Sequence, residues 1–217
     1  MDLADFAARH SSSVPPLLKE LERATWQRTR HGRLMTDPHS GRILSMISRM
    51  LRPRIALELG TFTGYGTLCI LEGIPIESGG VLHTVEQNDE LFALQDTFWQ
   101  RSKKGHLIKR HHGDALAFLE KWRTAEQGTI DLAYVDADKQ NVNAQLDALL
   151  PLMSAQGCLL FDNTWWGGTL YDTTVEGAAK GPKANALREL NARLAAEENL
   201  HTTVLPVGDG ITVVQQR

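Results

Sequence analysis

Residues 55–66 read Ile55-Ala56-Leu57-Glu58-Leu59-Gly60-Thr61-Phe62-Thr63-Gly64-Tyr65-Gly66. An apolar run of strand length, interrupted only by Glu58, leads into a glycine-rich turn and then into a helical pattern. Gly60 and Gly64 let the backbone turn sharply and approach a ligand closely, and the helix that follows offers its free amides. The turn is not the G-x-G-x-x-G fingerprint of dinucleotide sites. A carboxylate at position 58 would face a pyrophosphate unfavourably, whereas it suits an amino group. Taken alone, the turn also fits a purely structural strand-to-helix connection.

Downstream, the short apolar runs Val81 to Val85, His106 to His111, Ile130 to Val135 and Cys158 to Phe161 alternate with helical segments. Such alternation predicts a parallel sheet covered by helices. Val142, Leu146, Leu149 and Leu150 form one apolar stripe that Pro151 ends, and Leu187, Leu190 and Leu194 form another. Thr202 to Val207 and Ile211 to Val214, joined by Gly208-Asp209-Gly210, predict a hairpin that gives the sheet an antiparallel edge. Upstream, Leu17, Leu18 and Leu21 share one helix face, and Ile43, Leu44, Ile47, Met50 and Leu51 share another. The expected architecture is α/β, a mostly parallel sheet with helices on both faces. Residues 1–217 are expected to form one domain, with 1–52 a helical cap and 53–217 the core.

Composition fits this. The chain has 217 residues, and 23 Lys plus Arg against 26 Asp plus Glu give a net charge of −3, so nothing favours a general polyanion binder. Arg28, Arg30, Arg33, Arg42 and Arg49 are expected on the polar faces of the N-terminal helices. No stretch reaches the roughly 20 apolar residues of a membrane span. The N-terminal acids Asp2 and Asp5 do not suit a signal peptide, so a soluble, cytoplasmic protein is expected. Cys69 and Cys158 are expected to be buried and unbridged. Trp26, Trp99 and Trp122 are expected in the helical layer, and His111 and His112 on the surface.

In an open parallel sheet, ligands bind beyond the carboxyl ends of the strands. Glu86, about 20 residues beyond the glycine turn, is placed to take the hydroxyls of a ribose. Asp114 either caps the next helix or borders an adenine, and can do both. Asp136 ends one strand and Asp162-Asn163 end the next. If those strands are neighbours, about 5 Å apart, two carboxylates and an amide oxygen converge. That all-oxygen set suits Mg²⁺ or Ca²⁺.

At these residues the sequence resembles the cation-dependent O-methyltransferases that use S-adenosylmethionine, the family of catechol and caffeoyl-coenzyme A O-methyltransferases. The matching blocks are Leu34-Met35-Thr36, Leu57 to Tyr65, Val135-Asp136-Ala137-Asp138-Lys139, Asp162-Asn163-Thr164-Trp165-Trp166-Gly167 and Leu205 to Gly210. The resemblance implies a Rossmann-like class I methyltransferase with a seven-stranded sheet, acting on a small phenolic or catechol-like substrate with Mg²⁺, Ca²⁺ or Mn²⁺, and assembled as a homodimer. It implies that Glu58, Gly60 and Thr61 lie against the cofactor's methionine end, with Met35 close by and Tyr65 among its contacts. Glu86 would hold the ribose, and Asp114 and Ala115 would border the adenine. Asp136, Asp162 and Asn163 match the metal ligands, with Asp136 also bordering the cofactor, and Lys139 matches the catalytic base. Trp166 falls where the family lines its substrate pocket.

Three positions depart from the family pattern. Gly66 stands where Ser is frequent, and Val142 where a Tyr borders the substrate. Arg42 stands where Gln is usual and would add positive charge near the pocket. The first thirty residues are expected either to cross a dimer interface or to close over the substrate. A tRNA-modifying methyltransferase of the same fold and a catalytically silent cofactor-binding protein are the alternatives; the intact metal trio speaks against the second.

Overall fold

The apolar runs that follow Pro53 all enter one sheet. A computed structural model describes residues 3–125, 128–170 and 177–217. The strands are β1 (Ile55–Leu59), β2 (Val81–Glu86), β3 (Ile108–His112), β4 (Ile130–Val135), β5 (Met153–Asp162), β6 (Leu200–Leu205) and β7 (Ile211–Gln216). They pair in the order β3-β2-β1-β4-β5-β7-β6. All pairings are parallel except those of β7, which runs antiparallel to β5 and β6. The sheet is thus seven-stranded, Rossmann-like and closed at one edge by the expected hairpin.

Boundaries shift where local chemistry decides them. His106 and Leu107 lie in a short helical turn, so β3 starts at Ile108. Strand β5 starts at Met153, well before Cys158. Strand β6 stops at Leu205, because Pro206 has no N–H to give the ladder.

The helices are α1 (Leu3–His10), α2 (Pro16–Arg28), α3 (Pro38–Leu51), α4 (Tyr65–Leu71), α5 (Phe92–Trp99), α6 (Ala115–Thr124), α7 (Val142–Leu149) and α8 (Pro182–Ala196). Side chains alternate between the two faces of each strand. Leu57, Leu59, Ala133, Val135, Leu159 and Phe161 pack under Leu119, Leu146 and Leu187 of α6, α7 and α8. Ala56, Leu132, Tyr134 and Leu160 face the other way, toward Leu21, Leu44, Leu68 and Phe98 of α2, α3, α4 and α5. Glu58 is paired in register with Thr84 and Tyr134, and so belongs to this second face.

Helices α2 and α3 pack on their own chain. Leu18 and Leu21 are buried, and the Thr25 hydroxyl donates to Thr63 in the glycine turn at 2.9 Å. Trp99 and Trp122 are buried, but Trp26 is exposed and lies against Gly32. Both cysteines are buried and unbridged. His111 is half-buried and shares a 2.9 Å hydrogen bond with the buried His83, so only His112 lies on the surface. Among the described residues no helix is long and apolar enough to cross a membrane.

The sheet reverses its winding between β1 and β4. There Asp136 N–H donates to Leu59 at 2.8 Å, and Gly60 N–H donates to Val85 at 3.0 Å. Gly60 sits at φ +90°, and a Cβ on it would stand 2.4 Å from the backbone oxygen of Asp136. No side chain fits there without moving one of the two strand ends. Gly60→Ala is therefore expected to destabilise the protein by about 3 kcal/mol, from positive-φ strain plus overpacking. Urea unfolding checks this, and a loss below about 1 kcal/mol would contradict the packing argument.

Candidate active site

A cleft of about 1000 Å³ opens beyond the carboxyl ends of β1, β2, β3, β4 and β5. Its walls include Met35, Gly60, Glu86, Asp114, Ala115, Asp136, Lys139, Asp162, Asn163 and Trp166. Residues from six chain segments meet there: five stand at or just beyond the ends of strands, and the turn before α3 delivers Met35.

The half nearest β1 and β2 is held by carboxylates. Glu86 Oε2 accepts the backbone N–H groups of Thr61 at 3.1 Å and Phe62 at 2.7 Å, and its Oε1 accepts Asn88 N–H at 2.8 Å. The glycine turn is thereby fixed from below by the acid expected to hold a ribose. A carboxylate oxygen has two acceptor sites, so these bonds fill Oε2 and leave one position on Oε1 for a ligand hydroxyl. Asp114 caps α6 by accepting Ala117 N–H at 2.9 Å while lining the cleft with Ala115.

Glu58 lies beneath the turn, almost fully buried. Its Oε2 accepts the hydroxyls of Thr67 at 2.5 Å and Thr84 at 2.6 Å, and the Thr84 hydroxyl also meets that of Thr61 at 2.5 Å. Burial pushes the Glu58 carboxyl up to about 8; the two threonines oppose this.

The other half is built on the pairing of β4 with β5. Val135 pairs with Phe161, so Asp136 and Asp162 leave the sheet side by side. Lys139, in the turn that opens α7, donates to Asp136 Oδ1 at 2.7 Å, with only 11% of the lysine and 19% of the aspartate side chain exposed. Asp162 Oδ2 accepts the Tyr134 hydroxyl at 2.5 Å, and its Oδ1 accepts Asn163 N–H at 2.7 Å. Burial raises both carboxyls above the ordinary range, and Lys139 pulls both back down. Asn163 takes a left-handed conformation, φ +61°, and its amide nitrogen reaches Asp209 at 3.4 Å.

Among the described residues, no three His, Cys, Asp or Glu side chains converge as a metal group. A cation here would use two carboxylates and the Asn163 amide oxygen, with water or substrate completing the shell. Two buried carboxylates already drawing in an ammonium are a donor set that fits a hard divalent ion.

Other residues lie elsewhere. Tyr65 is buried between Gly41 and the core, away from the cleft lining. Thr61 turns its hydroxyl inward to Thr84 and meets the cleft through its neighbours. Arg42 turns away from the cleft into a largely buried contact beside α4, meeting Glu72 at 2.9 Å, which Arg49 also reaches at 2.9 Å. Val142 sits in the core beneath α7. Asp37, Gln145 and Lys183 line the cleft although no motif marks them, and they are joined by Asp209 of the hairpin turn and by Arg33, which sits in the turn before α3 rather than on a helix face. Tyr134 was equally inconspicuous, although a tyrosine inside an apolar strand signals a hydroxyl that needs a partner.

A switch-point cleft on a doubly wound sheet is the construction of the Rossmann-like folds. A model of the O-methyltransferase family matches residues 8–217. The chain belongs to that family, and its activity class is S-adenosylmethionine-dependent O-methyl transfer. It is 32% identical over 213 residues to caffeoyl-CoA O-methyltransferase 2 of Populus trichocarpa, covering 93% of this chain and 82% of the relative. It is 29% identical over 204 residues to the flavonoid 3',5'-methyltransferase of Vitis vinifera, covering 92% and 86%. A Podospora anserina methyltransferase structure with bound S-adenosylhomocysteine superposes with a TM-score of 0.87 at 23% identity, covering 99% of this chain and 94% of that one. That last likeness speaks for the fold.

The Glu58 environment has a pH signature. An unfolded glutamate titrates near 4.5, the folded one near 8. Below the first value both states are protonated, and between the two the folded state keeps a proton that the unfolded chain has lost. Stability therefore falls as pH rises through this window and levels off above it. Glu58→Gln, whose amide oxygen can accept both threonine hydroxyls, should remove that part of the fall. In urea titrations of the ligand-free protein, the variant should gain on the wild type from pH 5 to pH 8; a constant difference would contradict the assignment.

Proposed function

We propose that the protein moves a methyl group from S-adenosylmethionine to a hydroxyl of a small phenolic or catechol-like molecule, aided by Mg²⁺ or a similar divalent cation. The observation that carries this reading is the buried pair Asp136 and Asp162 beside Asn163, with Lys139 2.7 Å from Asp136. Relatives named for caffeoyl-CoA and flavonoid substrates support the phenolic acceptor. We further read residues 1–217 as one methyltransferase domain, with 1–52 as its helical cap.

Each side chain has a task in this scheme. Glu86 takes a ribose hydroxyl on the remaining acceptor position of Oε1 while it clamps the glycine turn, and Glu58, buried beneath that turn and outside the cleft wall, supports it through Thr84 and Thr61. Asp114 and Ala115 border the adenine. Met35 and Trp166 wall the cleft apolarly and keep water from the reacting centre. Asp136, Asp162 and Asn163 would hold the cation, whose charge would lower the pKa of a phenolic hydroxyl from about 10. Lys139, having first released a proton to solvent as the cation takes over the charge of Asp136, would receive the hydroxyl proton at its neutral Nζ, and the turn capped by Asp138 keeps that amine at the rim of the carboxylates. The remaining gain in rate comes from orientation, since the sulfonium methyl group must lie in line with the attacking oxygen.

The test is a methylation assay with S-adenosylmethionine and a panel of catechols, read as the mass gain of one methyl group. Turnover should require a divalent ion and stop with chelator or Asp136→Ala. Lys139→Met should lower kcat by about 10²-fold or more. Full activity in chelator, or an unchanged kcat in Lys139→Met, would defeat the scheme.

A further inference from the structure

Tyr134 is a polar side chain at the site that the scheme above leaves without a task. It is fully buried, and it projects from β4 in the same row as Glu58. Its hydroxyl donates to Asp162 Oδ2 at 2.5 Å, while Asn163 N–H donates to Oδ1 of the same carboxylate at 2.7 Å. A carboxylate gripped at both oxygens cannot turn about its Cβ–Cγ bond without leaving a buried donor unpaired, a loss that costs about 1–3 kcal/mol. Each oxygen keeps a second acceptor position, so the grip restricts direction without blocking a cation. Asp136, by contrast, is held by the flexible Lys139 side chain.

The phenol also depends on its surroundings. A Cβ on Gly66 would stand 3.3 Å from Tyr134 Cε1 and 2.7 Å from Glu58 Oε1. With Thr36 Oγ1 at 3.0 Å as well, a side chain at position 66 would crowd Glu58 and Thr36 first and the Tyr134 ring last, so its absence leaves the ring its place.

We propose that Tyr134 is a positioning residue for the divalent cation: its hydroxyl, acting through Asp162 Oδ2, holds that carboxylate in the direction the ion needs. The inference rests on the reading of Asp136, Asp162 and Asn163 as the cation's ligands. Buried partners of a ligating group set its orientation, and their loss typically weakens metal affinity about 10–100-fold.

The experiment is an Mn²⁺ titration of the full-length protein without substrate, following the free ion by electron paramagnetic resonance. S-adenosylhomocysteine affinity is measured in parallel by calorimetry. Tyr134→Phe should weaken Mn²⁺ binding about tenfold or more and leave the S-adenosylhomocysteine affinity unchanged. Replacing Tyr134 with p-aminophenylalanine, which still donates, should restore most of the loss. Replacing it with p-fluorophenylalanine, which fills the hydroxyl's space without donating, should not, and this pair serves if Tyr134→Phe fails to fold. Equal Mn²⁺ affinity with and without the donor overturns the proposal, as does a parallel loss of both ligands, which would mark general damage to the fold. A wild type that binds S-adenosylhomocysteine but no Mn²⁺ would overturn the reading of the trio itself.

Discussion

Two carboxylates emerge side by side where β4 and β5 end, and the architecture around them answers that repulsion. Like charges at neighbouring strand ends, about 5 Å apart and largely removed from water, cannot both ionise cheaply. The chain offsets them with local means. Lys139 lies one helical turn beyond Asp136, in a turn that Asp138 caps. Asp162 draws on a phenol from the adjacent strand and on the backbone of the next residue. What remains is a concentration of negative charge that is tolerable without a cation and welcoming to one.

The opposite half of the cleft is organised by backbone rather than by charge. Parallel pairing continues one bond past the ends of the strands, with Leu59 accepting from Asp136 and Val85 accepting from Gly60. The glycine turn then lies on the Glu86 carboxylate. Its shape is therefore set by protein contacts alone, which reduces the ordering that a ligand must impose.

Most of this was legible in the sequence, for identifiable reasons. Strand ends could be read because apolar runs stop at polar residues, and the candidate site residues stand at those stops: Glu86, Asp114, Asp136, Asp162 and Asn163 all line the cleft. Residues inside helices were harder, since helical phase rather than position along the chain sets their direction. Arg42 and Val142 lie near the motifs in sequence, yet one turns to Glu72 beside α4 and the other into the core beneath α7. Tyr134 and His83 escaped notice because a single polar residue in an apolar strand reveals its partner only when register is known; their partners lie on β5 and β3. Trp26 shows the limit of composition, since a large aromatic ring is exposed where a core role was the natural expectation.

The contact between Gly60 and Asp136 also divides the cleft into parts with different freedom to change. Its floor is a set of mutually touching strand ends, where altering one residue displaces the next. Its rim is different: Arg33 and Leu34 precede α3, Lys183 opens α8, and Asp209 sits in the hairpin turn, each on a separate segment. Mutational drift can thus reshape the entrance one segment at a time while the floor stays invariant. Descendants of such a chain would diversify in what they admit long before they changed what they do to it.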